Sequence, residues 1–141
     1  MVQIIMNILL LILLLICSWM DIKRKTISGI LLCVFAIIGI MLNVIFRPVS
    51  LAMLVSGMAV GAVVLVVSKL TKEQIGMGDG SLLCITGLYM GFYKNLEMFL
   101  SALFLAAVWG IVLLIIRKGG RKTEIPFVPF MMLSYVCMMI T

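Results

Sequence analysis

Long apolar runs separated by short charged breaks dominate the pattern of hydrophobic and polar positions along the chain. A helix rises about 1.5 Å per residue, so about 20 apolar residues are enough to cross the hydrocarbon core of a bilayer. Six runs approach that length, at residues 3–20, 27–46, 49–68, 75–93, 97–116 and 125–140. The pattern therefore predicts an all-α, polytopic membrane protein with six transmembrane helices in a single domain, residues 1–141.

Composition excludes an ordinary soluble domain and several kinds of catalytic site. The chain is 65% hydrophobic and only 11% charged, whereas a soluble domain carries about 25% charged residues. Histidine is absent from the sequence, so a Ser-His-Asp triad, a Cys-His dyad and an HExxH zinc site are impossible. The four cysteines lie far apart and form no CxxC pair. We therefore expect no metal site and no cofactor.

Basic residues are distributed unequally among the predicted connecting loops. The loops after the first, third and fifth runs hold nine of the 11 lysines and arginines, and the other two loops hold only Arg47 and Lys94. Because basic residues that flank spans stay in the cytoplasm, both termini are predicted to lie outside. The net charge of +6 is then mostly a signal of topology and of attraction to anionic lipid headgroups. We expect no nucleic-acid partner.

Two of the five acidic residues lie where a predicted cytoplasmic loop meets a span. Asp21 directly follows the first run, and Asp79 lies about 15 residues, or about 22 Å of helix, before the end of the fourth. Ionisable residues within the hydrocarbon are costly and usually line a cavity or a functional path. Two structural alternatives stay open. Asp79 could cap a helix beside glycines that only pack, and Asp21 could offset the basic run 23–25.

Both aspartates are predicted on one face of the membrane, where a helical bundle could bring them together. Two adjacent carboxyl groups rarely ionise together, so one keeps a proton near neutral pH. The ionised group can take a proton from water while its protonated partner polarises a peptide carbonyl. This is aspartic-protease chemistry. The alternative is a small ion-coupled transporter that uses Asp21 and Asp79 to bind the ion, although transporters usually bind near the bilayer midplane.

Several motifs spread over nearly the whole chain resemble those of the type IV prepilin peptidases, which are GxGD-type aspartic proteases of bacterial membranes. The matching motifs are Asp21, Gly76-x-Gly78-Asp79 and Pro126-Phe127-x-Pro129-Phe130. The resemblance implies that Asp21 and Asp79 are the catalytic pair. It also implies that Gly76 and Gly78 give the substrate backbone access to Asp79, with Gly80 as part of the same motif.

The resemblance also implies a substrate and a location. The family cleaves pilin-like precursors (prepilins and pseudopilins of type IV pili and protein secretion) at the cytoplasmic face, typically after a glycine and just before a hydrophobic helix. Removal of the short basic leader would therefore occur on the face where both aspartates are predicted. Glu73 is the candidate contact for that leader. The implied surroundings are the lipid of the bacterial cytoplasmic membrane, with the chain as a multi-pass protein.

Three features depart from the family pattern. Residues 27–29 read Ile-Ser-Gly where the family often has Ile-Pro-Asn, and Ser81 stands where a lysine often follows the second aspartate. These two differences concern substrate preference and local charge more than cleavage. Larger members also carry a cytoplasmic domain with two CxxC pairs, which methylates the new N-terminus with S-adenosylmethionine. That domain is absent here, so the chain resembles a minimal, peptidase-only member and N-methyltransferase activity is doubtful. An inactive scaffold of a secretion apparatus is a third hypothesis, which the presence of both aspartates disfavours.

Overall fold

The structure is a computed structural model, and it describes residues 1–71, 76–116 and 125–141. Within those ranges the chain forms helices and no strand, so the all-α fold class is confirmed. The helices are α1 (Val2–Arg24), α2 (Gly29–Phe46), α3 (Leu51–Leu70), α4 (Met77–Ile116) and α5 (Val128–Ile140). The first three helices and α5 lie within the predicted runs to within a few residues.

Four of the helices, α1 to α4, are long and apolar enough to cross a membrane. Large apolar side chains point outward along them, for example Ile4, Val44 and Phe104. α5 has 13 residues, or about 20 Å of helix, which is shorter than a hydrocarbon core of about 30 Å. These lengths and surfaces indicate a polytopic membrane protein. The count of six crossings and the outside position of both termini stay predictions.

The chain reverses direction within α4. Gly91 has φ 75° and ψ −174°, a combination that glycine adopts far more readily than other residues. The Asn95 side chain donates from Nδ2 to the Leu83 carbonyl oxygen, 3.0 Å away, although the two residues are 12 positions apart. An uninterrupted helix would separate them by about 18 Å. The chain therefore folds back at Gly91.

The two limbs of α4, residues 77–90 and 92–116, correspond to the fourth and fifth predicted runs. The sequence pattern predicted the break at Lys94-Asn95, and the structure has it at Gly91. The turn does not form at Lys94-Asn95 because Asn95 is fully buried inside the bundle. Its Nδ2 donates to the Gly57 carbonyl oxygen in α3 at 3.0 Å, and the Thr86 hydroxyl donates to its Oδ1 at 2.6 Å. A polar residue that was assigned to a loop thus joins α3 to both limbs of α4.

α3 packs closely against the N-terminal limb of α4 because glycines form the contact. A Cβ atom added at Gly57 would lie 2.7 Å from the Gly87 carbonyl oxygen, and one added at Gly80 would lie 2.8 Å from the Leu65 side chain. Small residues allow the backbones of membrane helices to approach in this way. The pairing of 57 with 87 and of 65 with 80 shows that the two segments are antiparallel. Asp79 is therefore held near the C-terminal end of α3.

α2 joins the bundle through two buried hydrogen bonds to the N-terminal limb of α4. The Tyr89 hydroxyl donates to the Phe35 carbonyl oxygen at 2.7 Å, and Asn43 Nδ2 donates to the Leu88 carbonyl oxygen at 2.8 Å. Gly39 leaves room for the Tyr89 ring, because a Cβ there would approach the ring to 2.9 Å. The N-terminal limb of α4, which carries Asp79 in its first turn, is thus packed between α2 and α3.

The buried face of α1 leads directly to Asp21. Its buried residues recur every three or four positions, the spacing of one face of a helix. They are Met6, Leu10, Leu13, Leu14, Cys17, Ser18 and Asp21. α5 packs against α1, and the Tyr135 hydroxyl donates to the Asn7 carbonyl oxygen at 3.2 Å. Because Asp21 lies on the same buried face, the packing of α1 in the bundle also directs its side chain inward.

Candidate active site

Asp21 lies at the junction of α1 and α5. Its side chain is only 8% exposed, and its Oδ2 accepts a hydrogen bond from the Val128 amide at 3.1 Å. Val128 is the first residue of α5, and the first amides of a helix have no partner within the helix and carry its positive dipole end. The N-terminus of α5 therefore binds and orients the Asp21 carboxylate. The proline-phenylalanine motif supplies this helix start.

Asp79 lies in the first turn of α4 and is half-buried. Its amide donates to the Gly76 carbonyl oxygen at 3.1 Å, so the GxGD motif itself forms the start of this helix. The sequence alternative of a helix-capping aspartate is consistent with this position. A role in capping alone does not explain why the Asp79 side chain also lines a cavity.

Asp21 and Asp79 line one cavity of about 370 Å³. Its other lining residues are Lys25, Thr26, Ile27, Gly76, Met77 and Gly78. The two carboxyl groups are close enough to interact electrostatically. The structure thus brings together the two aspartates that the sequence analysis singled out, although they come from helices distant in the chain. We call this space the dyad cavity.

The three glycines of the motif have different surroundings. A Cβ atom at Gly76 would lie 3.0 Å from Asp79 Oδ2, and one at Gly78 would lie 3.1 Å from Ile27 Cδ1 across the dyad cavity. The Gly76 position therefore lies beside the Asp79 carboxyl group and the Gly78 position beside Ile27. Access for a peptide backbone at these two glycines stays a prediction. Gly80 is buried against α3. Its role in the structure is packing rather than access.

Lys25 is a lining residue that sequence reasoning treated only as part of a basic loop. It ends α1 in the left-handed conformation, with φ 52°, and this turn directs residues 25–27 to the dyad cavity. Lys25 is close enough to interact electrostatically with Asp21. No sequence signal separates it from its basic neighbours, because its position depends on the conformation of this turn. Glu73, the candidate leader contact, lies outside the described residues.

Metal-ligand clusters do not occur in the part of the chain that the structure describes, where no three His, Cys, Asp or Glu residues could hold one ion. The polar groups available for chemistry in the dyad cavity are two carboxyl groups, an ammonium group and a threonine hydroxyl. Two neighbouring carboxyl groups are able to exchange protons with a water molecule and with a peptide carbonyl. The arrangement therefore suits general acid–base hydrolysis.

Comparison with known proteins identifies the family. The family model described as the type IV leader peptidase family matches residues 8–111, a range that includes both aspartates and the three motif glycines. No curated protein and no solved structure gave a significant match. The matched range covers well over half of the 141 residues. The chain therefore belongs to the type IV leader peptidase family.

Proposed function

We propose that this protein is an aspartic endopeptidase that removes the short basic leader from pilin-like precursors, with Asp21 and Asp79 as its catalytic pair. One observation carries the proposal: the two aspartates line a single cavity together. Family membership supports a leader peptidase in general. The aspartic mechanism, the precursor and the cleavage site are the proposed additions.

The proposed mechanism uses the two carboxyl groups as a general base and a general acid. The ionised carboxylate takes a proton from a water molecule, whose oxygen attacks the carbonyl carbon of the scissile peptide bond. The protonated carboxyl group gives its proton to the carbonyl oxygen, and the peptide carbonyl carbon becomes a tetrahedral diol. The diol then collapses as the C–N bond breaks, and a proton passes to the leaving amine. The two carboxyl groups titrate as one coupled pair.

Hydrogen bonding to the Val128 amide would keep Asp21 in a fixed orientation for this reaction. Such an orientation matters because reacting groups need to be held at near-attack geometry. The cavity volume of about 370 Å³ lies in the range of small-ligand pockets, about 300–1,000 Å³. It would accommodate a short stretch of extended peptide backbone beside Gly76 and Gly78.

The proposed topology has six membrane crossings with both termini outside. The reversal at Gly91 supports it, because it divides α4 into two limbs and gives six helical segments in all. The predominance of basic residues in loops after odd-numbered segments also supports it. This topology puts Asp21 and Asp79 near the cytoplasmic face of a bacterial cytoplasmic membrane, where the leader would be cut.

The test is co-expression with a candidate prepilin, followed by the size shift that leader removal produces. We expect Asp21→Asn and Asp79→Asn each to lower cleavage by about 10²- to 10⁴-fold, while each variant still inserts in the membrane. The matched control is Glu97→Gln, because Glu97 is an exposed acid outside the dyad cavity. Normal processing by either aspartate variant would refute the catalytic assignment.

The family match gives no support to the ion-coupled transporter. The two hypotheses also differ in a direct measurement. A transporter would show ion uptake into liposomes that depends on Asp79 and would leave the precursor intact.

A further inference from the structure

Lys25 lines the dyad cavity together with both aspartates. Among the described residues that line this cavity, it alone carries a positive charge. Its amide donates to the Asp21 carbonyl oxygen at 3.0 Å. Its φ of 52° lies in the left-handed region, which residues other than glycine, asparagine and aspartate seldom adopt. The backbone therefore holds Lys25 one helical turn beyond Asp21, at the wall of the cavity.

The two carboxyl groups of the cavity have different surroundings. Asp21 accepts the hydrogen bond of the Val128 amide at 3.1 Å and is close enough to Lys25 to interact electrostatically. Asp79 has Asp21 as its electrostatic neighbour, and within the described part of the chain no hydrogen bond to its carboxyl group is observed. Hydrogen bonds and opposite charges favour the ionised form of a carboxyl group, whereas a like charge disfavours it.

Helix dipoles act on both aspartates and so do not distinguish them. Asp79 lies in the first turn of α4, and Asp21 contacts the first residue of α5. The positive end of a helix dipole favours negative charge at both positions. The amide hydrogen bond and the ammonium group of Lys25 are additional contacts of Asp21, and a hydrogen bond to a charged group contributes more than a dipole alone. The balance therefore favours the negative charge on Asp21 and the proton on Asp79.

Other titratable groups near Asp21 do not change this balance. On α1 the Cys17 thiol is buried one helical turn before Asp21, and on α2 the Cys33 thiol is exposed. α5 packs against α1 and carries only Tyr135 and Cys137 as titratable side chains, both in its second half. Thiols and phenols are neutral at neutral pH. In the described part of the chain, the charges that face Asp21 are therefore those of Lys25 and Asp79.

We propose that Lys25 is a positioning residue that keeps Asp21 ionised in the resting enzyme, so that Asp21 is the general base for water and Asp79 is the general acid for the peptide carbonyl. This inference rests on the proposed function, because it assigns the two roles of that mechanism to particular residues. Lys25 acts only through Asp21 and takes no part in proton transfer itself.

The assignment gives a closed cycle of proton transfers. Asp21 takes a proton from water as the water oxygen bonds to the carbonyl carbon, and Asp79 gives its proton to the carbonyl oxygen. When the C–N bond breaks, Asp21 gives its proton to the leaving amine. Asp79 takes a proton from the diol, whose carbon becomes the new carboxyl group. Both aspartates are then back in their resting state.

The test is the pH dependence of kcat/KM for purified full-length enzyme in detergent. Lys25→Asn removes the charge and keeps a residue that tolerates the left-handed conformation. We expect the acidic limb of its profile to lie about 0.5 pH unit above that of the wild type, because the cation favours the carboxylate but is itself exposed. On that limb kcat/KM should fall about threefold.

Two further variants isolate the charge at this position. Lys25→Arg keeps the charge, so the acidic limb of its profile should coincide with that of the wild type. Lys23→Gln removes the same charge two residues earlier. The Lys23 ammonium group lies 4.5 Å from the centroid of the Trp19 ring and does not line the dyad cavity, so this control should leave the limb in place.

The outcomes separate this inference from the proposed function. If the wild type does not cleave the precursor, the proposed function fails and the inference fails with it. If the wild type is active but the limb is unmoved in Lys25→Asn, the inference alone is overturned. It is also overturned if Lys23→Gln or Lys25→Arg moves the limb as far as Lys25→Asn does.

An infrared titration of the carboxyl groups decides the case in which Lys25→Asn has no activity. The Asp21 signal is identified by its loss in Asp21→Asn, and no turnover is needed to follow it. A titration midpoint of Asp21 that is about 0.5 pH unit higher in Lys25→Asn than in the wild type supports the inference. An unchanged midpoint overturns it.

Discussion

Replacement of Asn95 by leucine should destabilise the protein without removing a catalytic group. Asn95 is fully buried and makes three side-chain hydrogen bonds, to Gly57, to Leu83 and with Thr86. Leucine has a similar size and makes none of them. Because Asn95 joins the C-terminal limb of α4 to α3 and to the N-terminal limb, the variant loses the polar contacts that hold the reversal at Gly91 together.

The expected loss of folding stability follows from the number of hydrogen bonds that the Asn95→Leu substitution removes. Interhelical hydrogen bonds in membrane proteins contribute about 0.6 kcal/mol on average and up to about 1.7 kcal/mol each. Three of them give a loss of about 2 kcal/mol, with an upper value of about 5 kcal/mol. The Thr86→Val variant removes one of the three bonds, so its expected loss is about 0.6 kcal/mol.

The assay is reversible unfolding in mixed detergent micelles, measured for both single variants and the double variant. We expect a coupling free energy between positions 86 and 95 of about 0.5 kcal/mol or more, since the two side chains are in direct contact. Cleavage per folded molecule should stay close to that of the wild type. If the Asn95→Leu variant is as stable as the wild type, the hydrogen bonds of Asn95 do not hold the two limbs of α4 together, and the reasoning is refuted.

Three further predictions concern substrate access, leader recognition and product chemistry. Gly78→Leu should lower kcat/KM, because a leucine side chain placed beside Ile27 would occupy part of the dyad cavity, and the overpacking should cost about 1–3 kcal/mol of folding stability. Gly29→Ala, which adds a Cβ to open space, is the control. Full activity of Gly78→Leu would contradict the access role. Glu73→Gln should raise KM by about 1.5- to 5-fold for a precursor with a basic leader, as expected for the loss of one ion pair. For a leader with neutral residues KM should be unchanged. Equal effects on both leaders would disprove the contact. Mass spectrometry of the mature product should give an unmodified N-terminus, and an added methyl group would show that the chain is not a peptidase-only member.

The sequence was sufficient for those features that depend on composition and local motif. Apolar runs predicted the helices, and the GxGD motif with Asp21 identified the residues that share the dyad cavity. The distance between Asp21 and Asp79 in the chain was no obstacle, because a resemblance to a family supplied the pairing.

Features that depend on tertiary packing could not be predicted in the same way. Lys94-Asn95 looks like a polar break in an apolar stretch, but the buried hydrogen bonds of Asn95 place it inside the bundle and leave Gly91 to form the turn. The contact between Asp21 and the Val128 amide involves a main-chain group that any residue type except proline would provide. A second cavity beside Asp79, of about 470 Å³, is likewise lined mainly by valine, leucine, isoleucine and phenylalanine residues that look like ordinary core residues in the sequence.

The hydrogen bond from Val128 makes the two aspartates unequal as targets for inactivation. Asp21 both lines the dyad cavity and accepts the hydrogen bond from the first turn of α5. A replacement at Asp21 therefore also affects the contact between α1 and α5, and asparagine keeps an acceptor oxygen at the same distance from the backbone. Asp79 lies in the first turn of its own helix, and within the described part of the chain no hydrogen bond of its side chain to another helix is observed. A variant meant to capture an uncut precursor for structure determination should therefore be altered at Asp79, because this change leaves the contact between Asp21 and α5 intact.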